Sequence, residues 1–104
     1  MTNDYEKAIF WYERSLILDP NGSNNSKAAF ELFELYDMKG ESDKSLAYLK
    51  QSAKLGYMIA EEYLGRAYMV GNGVSKNTTE GKKLLKKAHE RGSTSAESIC
   101  GCEF

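Results

Sequence analysis

The sequence predicts an all-α fold, a short α-α superhelix (solenoid) of about two and a half antiparallel helix pairs stacked on one another. Three observations predict it. Apolar residues recur at steps of three and four in every long segment, the period of a helix that buries one face. Glycine, asparagine and proline cut these segments from one another. The pattern also repeats: Ala28, Leu32 and Tyr36 reappear as Ala60, Leu64 and Tyr68, 32 residues further on. Units that recur in this way bury their apolar faces on their neighbours.

The first helix is expected over 4–19. Tyr5, Ala8, Ile9, Tyr12, Ser15 and Leu16 trace one face, Asp4 suits the positive helix start, and Asp19-Pro20 stops it. Ile9, Phe10, Trp11 and Tyr12 surround this helix with more apolar surface than one face buries. Trp11 is therefore a candidate contact for a partner, and a homodimer through this helix is a further expectation. Asn21 to Ser26 is the most polar run and reads as a loop, with Asn25 or Ser26 capping the next helix.

A complete helix pair follows over 26–56. Ala28, Leu32, Leu35 and Tyr36 line its first helix, and Gly40 closes it. Ser45, Leu46, Leu49, Ser52 and Ala53 line its second, ended by Gly56. Another pair spans 58–92. Ala60, Tyr63, Leu64, Ala67 and Tyr68 share a face, Gly71-Asn72-Gly73-Val74 breaks the helix, and Gly81, Leu84, Leu85 and Ala88 form the answering stripe. Small residues here let two backbones come close. Arg91 and Gly92 mark the end, and Ser93-Thr94-Ser95 caps a last short helix within 94–100. The tyrosines at 36, 48, 63 and 68 are expected in the core with their hydroxyls wet.

The stretch 60–92 resembles a Sel1-like repeat, a relative of the tetratricopeptide repeat. The likeness rests on Ala60, Leu64-Gly65, Tyr68, Gly71-x-Gly73-Val74 and the Leu84-Leu85…Ala88…Gly92 tail. Gly81 stands where the pattern usually has alanine, and His89 where a second alanine is common. The opening helix resembles the second helix of a tetratricopeptide repeat, down to its Asp-Pro ending, so the chain starts halfway through a unit. The middle pair has the short tetratricopeptide turn, and the last has a turn four residues longer, of the Sel1 type. The resemblance implies a scaffold that binds a protein or peptide and does no chemistry. In such folds the first helix of each pair lines the inner surface. Carried over by position, that surface shows Lys27, Phe30, Glu34 and Asp37, then Ile59, Glu62, Arg66 and Met69. Small bacterial members include immunity proteins, so inhibition of a cognate toxin is the alternative. Secreted members clamp each repeat with a disulfide, and residues 1–99 here have no cysteine for that.

Composition excludes other classes. The 104 residues carry a net charge of −1, which recruits no nucleic acid. Charge is uneven: residues 60–92 hold seven Lys/Arg against four Asp/Glu, and Lys82, Lys83, Lys86 and Lys87 lie opposite the Leu84/Leu85/Ala88 stripe. They read as a solvated face, with docking of an acidic partner the sharper alternative. No apolar run is long enough to span a membrane, and the opening residues lack the layout of a secretory signal, so the expected location is cytoplasmic. His89 is the one histidine and has no nucleophile or carboxylate at a catalytic spacing. Glu61-Glu62 reads as surface charge. Cys100 and Cys102 are too few for a structural zinc site and are expected as free thiols. No enzyme, cofactor or metal is expected.

Overall fold

A computed structural model describes residues 4–18 and 25–102 of the chain. They form six helices: α1 (Asp4–Leu18), α2 (Asn25–Met38), α3 (Ser42–Lys54), α4 (Met58–Val70), α5 (Thr78–Glu90) and α6 (Ala96–Cys100). Among the described residues there is no strand. α2 packs most closely with α3, and α4 with α5; α1 lies on α2, α3 on α4, and α6 against both α4 and α5. Contacts between neighbours along the chain are what a stack of repeats produces. The radius of gyration is 14.1 Å and the extents are 44 × 27 × 19 Å. A compact domain of 100 residues would have about 13 Å, so the stack is already elongated.

The core runs through the stack in three linked sections. Ile9 and Leu16 of α1 meet Ala28, Ala29, Leu32, Leu35 and Tyr36 of α2. Phe30, Leu49, Ala53, Ala60 and Leu64 join α2, α3 and α4. Leu85, Ala88 and Ala96 close the far end, with Met58 and Met69 of α4 packed on them. Leu64 and Leu85, the anchors of the two stripes in 58–92, are both buried. Tyr5 and Ser15, assigned by spacing to the buried face of α1, are exposed.

Local chemistry sets the helix ends. α2 begins at Asn25, so that residue belongs to the helix and its side chain is buried. Ser52 of α3 donates its hydroxyl to the carbonyl of Ser26 at 2.6 Å and ties the first turn of α2 to α3. Pro20 and residues 21–24 of the expected loop lie outside the described residues. Gly71 ends α4 in the left-handed conformation, φ +75°, with its N–H on Ala67 at 2.7 Å. That conformation is costly for a residue with a Cβ. Asn72, between Gly71 and Gly73, keeps a negative φ. The turn then folds back, Asn77 N–H donating to the Tyr68 carbonyl at 2.9 Å. The Asn77 side chain caps α5 by accepting from Glu80 N–H at 3.1 Å.

The α4–α5 hairpin is tight because Gly65 faces Gly81. A Cβ on Gly65 would lie 2.8 Å from Leu85 Cγ, and one on Gly81 would lie 2.9 Å from the Gly65 carbonyl oxygen. Gly81, the departure from alanine noted in the sequence, is therefore demanded by the approach of two backbones.

At the far end, Ser93 is buried and its hydroxyl oxygen accepts from the N–H groups of Ser95 and Ala96, at 3.3 and 3.2 Å. This caps α6. The cysteines correct an expectation: Cys100 and Cys102 form a disulfide and neither is free. Their Cα atoms are 5.1 Å apart, within ordinary disulfide reach. Gly101, at φ +72°, turns the chain out of α6 and carries the second cysteine back toward the first.

Candidate functional site

The stack offers a groove between the first helices of its two pairs. Its ridge is made of aromatic rings. Phe30 lies buried at the base, 5.3 Å from the rings of both Phe33 and Tyr63. Phe33 and Tyr63 meet edge to face at 5.8 Å and 89°. This geometry suits their ring quadrupoles. Tyr57 touches Phe30 from the other side at 5.2 Å. Phe33 is half-buried, and Tyr63 remains 42% exposed. Aromatic surface is thus held rigidly from below and offered outward.

Two clefts flank this ridge. One, of about 420 Å³, runs between Phe33, Asp37, Asp43, Leu46, Arg66 and Val70. The other, of about 330 Å³, is lined by Phe33, Tyr63, Glu31, Glu34, Asp37 and Met38. Burial and the neighbouring Glu31 push the Glu34 carboxyl above the usual carboxylate range. A third cleft lies between α1 and α2, lined by Trp11, Tyr12, Lys27 and Glu31, and shares Glu31 with the second.

The residues expected on the inner face divide. Glu34, Asp37 and Arg66 line the clefts beside the ridge. Lys27 and Trp11 come together in the α1–α2 cleft. Ile59 is exposed outside these clefts. Phe30 is corrected: it is 5% exposed and belongs to the core, so it presents nothing to a partner. Met69 is half-buried, with its sulfur against Gly81 and its chain on the Leu85 cluster. Glu62 accepts a hydrogen bond from the Ser93 hydroxyl. The expected stripe is kept in part and replaced in part on both helices. Phe33 takes the place of Phe30, and Tyr63 and Val70 replace Glu62 and Met69. Phe30 and Phe33 are three residues apart, so spacing alone did not say which ring the next helix would cover.

Two other expectations change. Glu61 is not a surface charge: it is 1% exposed and accepts from Arg91 Nε at 2.9 Å. The hydroxyls of Tyr36 and Tyr48 are not simply wet, since both donate to Glu13 Oε2 at 2.8 Å. Their rings stack at 5.6 Å, 5° from parallel. His89 Nδ1 lies 3.9 Å from the Glu97 carboxylate, away from the groove. Among the described residues no group of side chains could hold a metal ion, and no helix is long and apolar enough to cross a membrane.

Helix pairs of this length, a Gly-rich turn after α4 and a shared core along the stack fit one family above others. The Sel1 repeat model matches residues 1–19, 26–57 and 59–93. The chain belongs to the Sel1 repeat family. A solved relative agrees: the crystal structure of a Sel1 repeat protein from Oxalobacter formigenes aligns with a TM-score of 0.66 at 27% identity, over 83% of this chain and 71% of that one. No curated protein matches the chain closely. Sel1 repeats are generally protein-interaction scaffolds without catalysis.

Proposed function

We propose that the chain is a non-catalytic interaction module, an adaptor or scaffold whose protein or peptide partner docks along the Phe33–Tyr63 ridge. The observation that carries this reading is the exposure of Tyr63 on rings held from beneath by buried Phe30. A pre-organised aromatic anchor bordered by charge is the usual make-up of a binding hot spot. The clefts supply room on both sides, with Asp37 and Arg66 at their edges. Neither comparison carries a toxin, so the inhibitor alternative gains nothing from them.

The test places a photo-crosslinking amino acid at position 63, and at position 83 on the lysine face of α5, in the native host. The expected result is a protein adduct from position 63 and none from position 83. Adducts from position 83 alone would move the site to α5.

A second surface is favoured by α1. Phe10, Trp11, Ile17 and Leu18 are 55%, 64%, 77% and 72% exposed along one helix. Monomers rarely leave such a run uncovered, and self-association through α1 accounts for it. Sedimentation equilibrium should give a dimer that Trp11→Ser weakens; a monomer at every concentration would remove this second reading.

A further inference from the structure

We infer that the segment docked in the groove is a basic, extended peptide whose arginine or lysine enters the cleft between Glu34 and Tyr63. This rests on the ridge being the docking site, and it adds the chemistry of the partner.

The charge balance of the groove carries the argument. Four carboxylates line the two clefts: Glu31, Glu34, Asp37 and Asp43. Arg66 is the one cation among the lining residues. The ion pairs of the described residues join Lys39 and Lys44 to Glu41, Lys83 to Glu80, His89 to Glu97 and Arg91 to Glu61. None of them involves the four groove carboxylates. The acid is also local. The whole chain is at −1, and Lys82, Lys83, Lys86 and Lys87 stand together on α5 instead. Burial first, and the charge of Glu31 second, raise the affinity of Glu34 for its proton. A cation brought by a partner relieves the repulsion between these two carboxylates.

The two clefts are not equivalent, and this gives the peptide its orientation. Asp37 and Tyr63 line both clefts, but the one with Glu31 and Glu34 has no cation among its lining residues. A guanidinium there meets carboxylates and an exposed aromatic face together, the arrangement that strengthens cation–π contact. The other cleft holds Arg66, which repels a second cation, and is partly apolar through Leu46 and Val70. Val70 there is 65% exposed. An aliphatic side chain from the same peptide fits that side.

Fluorescence anisotropy on the full chain tests this with three labelled peptides: one of alternating Gly, Arg, Gly and Leu, one with Arg replaced by Glu, and one with Leu replaced by Ser. The Arg/Leu peptide should bind at least about tenfold more tightly than the Glu form, with an affinity that falls as salt rises. Glu34→Gln with Asp37→Asn should weaken it by about fivefold, in line with two partly screened charge pairs. The Ser peptide should bind more weakly than the Leu peptide. Equal binding of the Arg and Glu forms, indifference to Glu34→Gln/Asp37→Asn, or no binding of the Arg/Leu peptide at millimolar concentration would each overturn the inference. The two levels separate cleanly. If position 63 still crosslinks a native partner whose binding survives Glu34→Gln/Asp37→Asn, the ridge stands and the basic partner falls. If Tyr63→Ala, folded by circular dichroism, leaves native partner binding intact, the ridge itself falls.

Discussion

Arg91 at the end of α5 holds the buried carboxylate of Glu61 near the start of α4, Nε to Oε1 at 2.9 Å. The same guanidinium lies over Gly56, where a Cβ would come within 3.0 Å of its Nη2. One side chain thus joins the end of the last repeat to the turn that precedes it. Removing Arg91 orphans a carboxylate that is 1% exposed. Arg91→Ala should cost about 3 kcal/mol, at the lower end for a broken buried pair because the guanidinium is half in water. Adding Glu61→Gln to that variant should restore part of the loss, as a double-mutant cycle in urea would read. The pH dependence has a definite sign. Burial raises the Glu61 carboxyl above its ordinary range, and Arg91 only partly offsets this. A carboxyl that holds its proton more tightly when folded adds stability below its unfolded pKa and loses it as pH rises through the folded one. Wild-type stability relative to Glu61→Gln should therefore fall as pH rises above the ordinary carboxylate range.

Gly65 and Gly81 permit the α4–α5 contact, and alanine at either position tests how rigid it is. Alanine favours a helix over glycine by about 1 kcal/mol. The added methyl would meet Leu85 Cγ at 2.8 Å from position 65, or the Gly65 carbonyl oxygen at 2.9 Å from position 81. Overpacking of this kind costs roughly 1–3 kcal/mol, and a backbone oxygen gives way less readily than a side chain. Gly81→Ala should thus be the worse of the two, with a net loss of about 1–2 kcal/mol in thermal or urea unfolding. The double variant should lose less than the sum, since one opened interface accommodates both methyls.

Glu13 gathers the hydroxyls of Tyr36 and Tyr48 and so links α1 to α2 and α3. Burial first, and the Glu13 carboxylate second, push the Tyr36 phenol up to about 12 and raise Tyr48 further. A phenol whose folded pKa is raised stabilises the fold below its unfolded value and ceases to do so as pH rises through the folded one. The chain should therefore lose stability above about pH 10. Two phenols should ionise late in an ultraviolet titration. Glu13→Gln should lower their pKa values only in part, because burial is the larger cause.

The fold was legible because helical spacing and terminating glycines agree along the chain. Ala60, Leu64 and Leu85 read as core from spacing and are core. The groove was legible only in outline. Spacing put Glu34, Asp37 and Arg66 on the face that lines the clefts, but assigned Tyr63 to the core and gave Phe33 no place. A helix stripe covered by two neighbours is wider than one covered by a single neighbour. Which ring closes the interface depends on how the next helix crosses. Pairings distant in sequence were also hidden: nothing local announces that Glu61 meets Arg91 or that Glu13 meets two tyrosines. The disulfide was missed because two cysteines alone do not declare their oxidation state.

Trp11 provides a direct reading of the α1 surface, since it is the one tryptophan of the chain. Its indole is 64% exposed and meets Phe10 edge on at 5.3 Å. In dilute protein its emission should be that of a hydrated indole, open to quenching by acrylamide. If two chains associate through α1, quenching should decline as concentration rises, in step with the increase in mass on a sizing column. Binding of the Arg/Leu peptide in the groove should leave Trp11 emission unchanged, because Trp11 lines the α1–α2 cleft and the ridge lies between α2 and α4. A shift of Trp11 emission that saturates with that peptide would place it against α1 instead. Trp11→Ser removes this emission, so it is read by mass: the variant should show weaker association on the sizing column and retain the helical circular dichroism. An exposed side chain contributes little to the fold, so the expected change in stability is within about 0.5 kcal/mol.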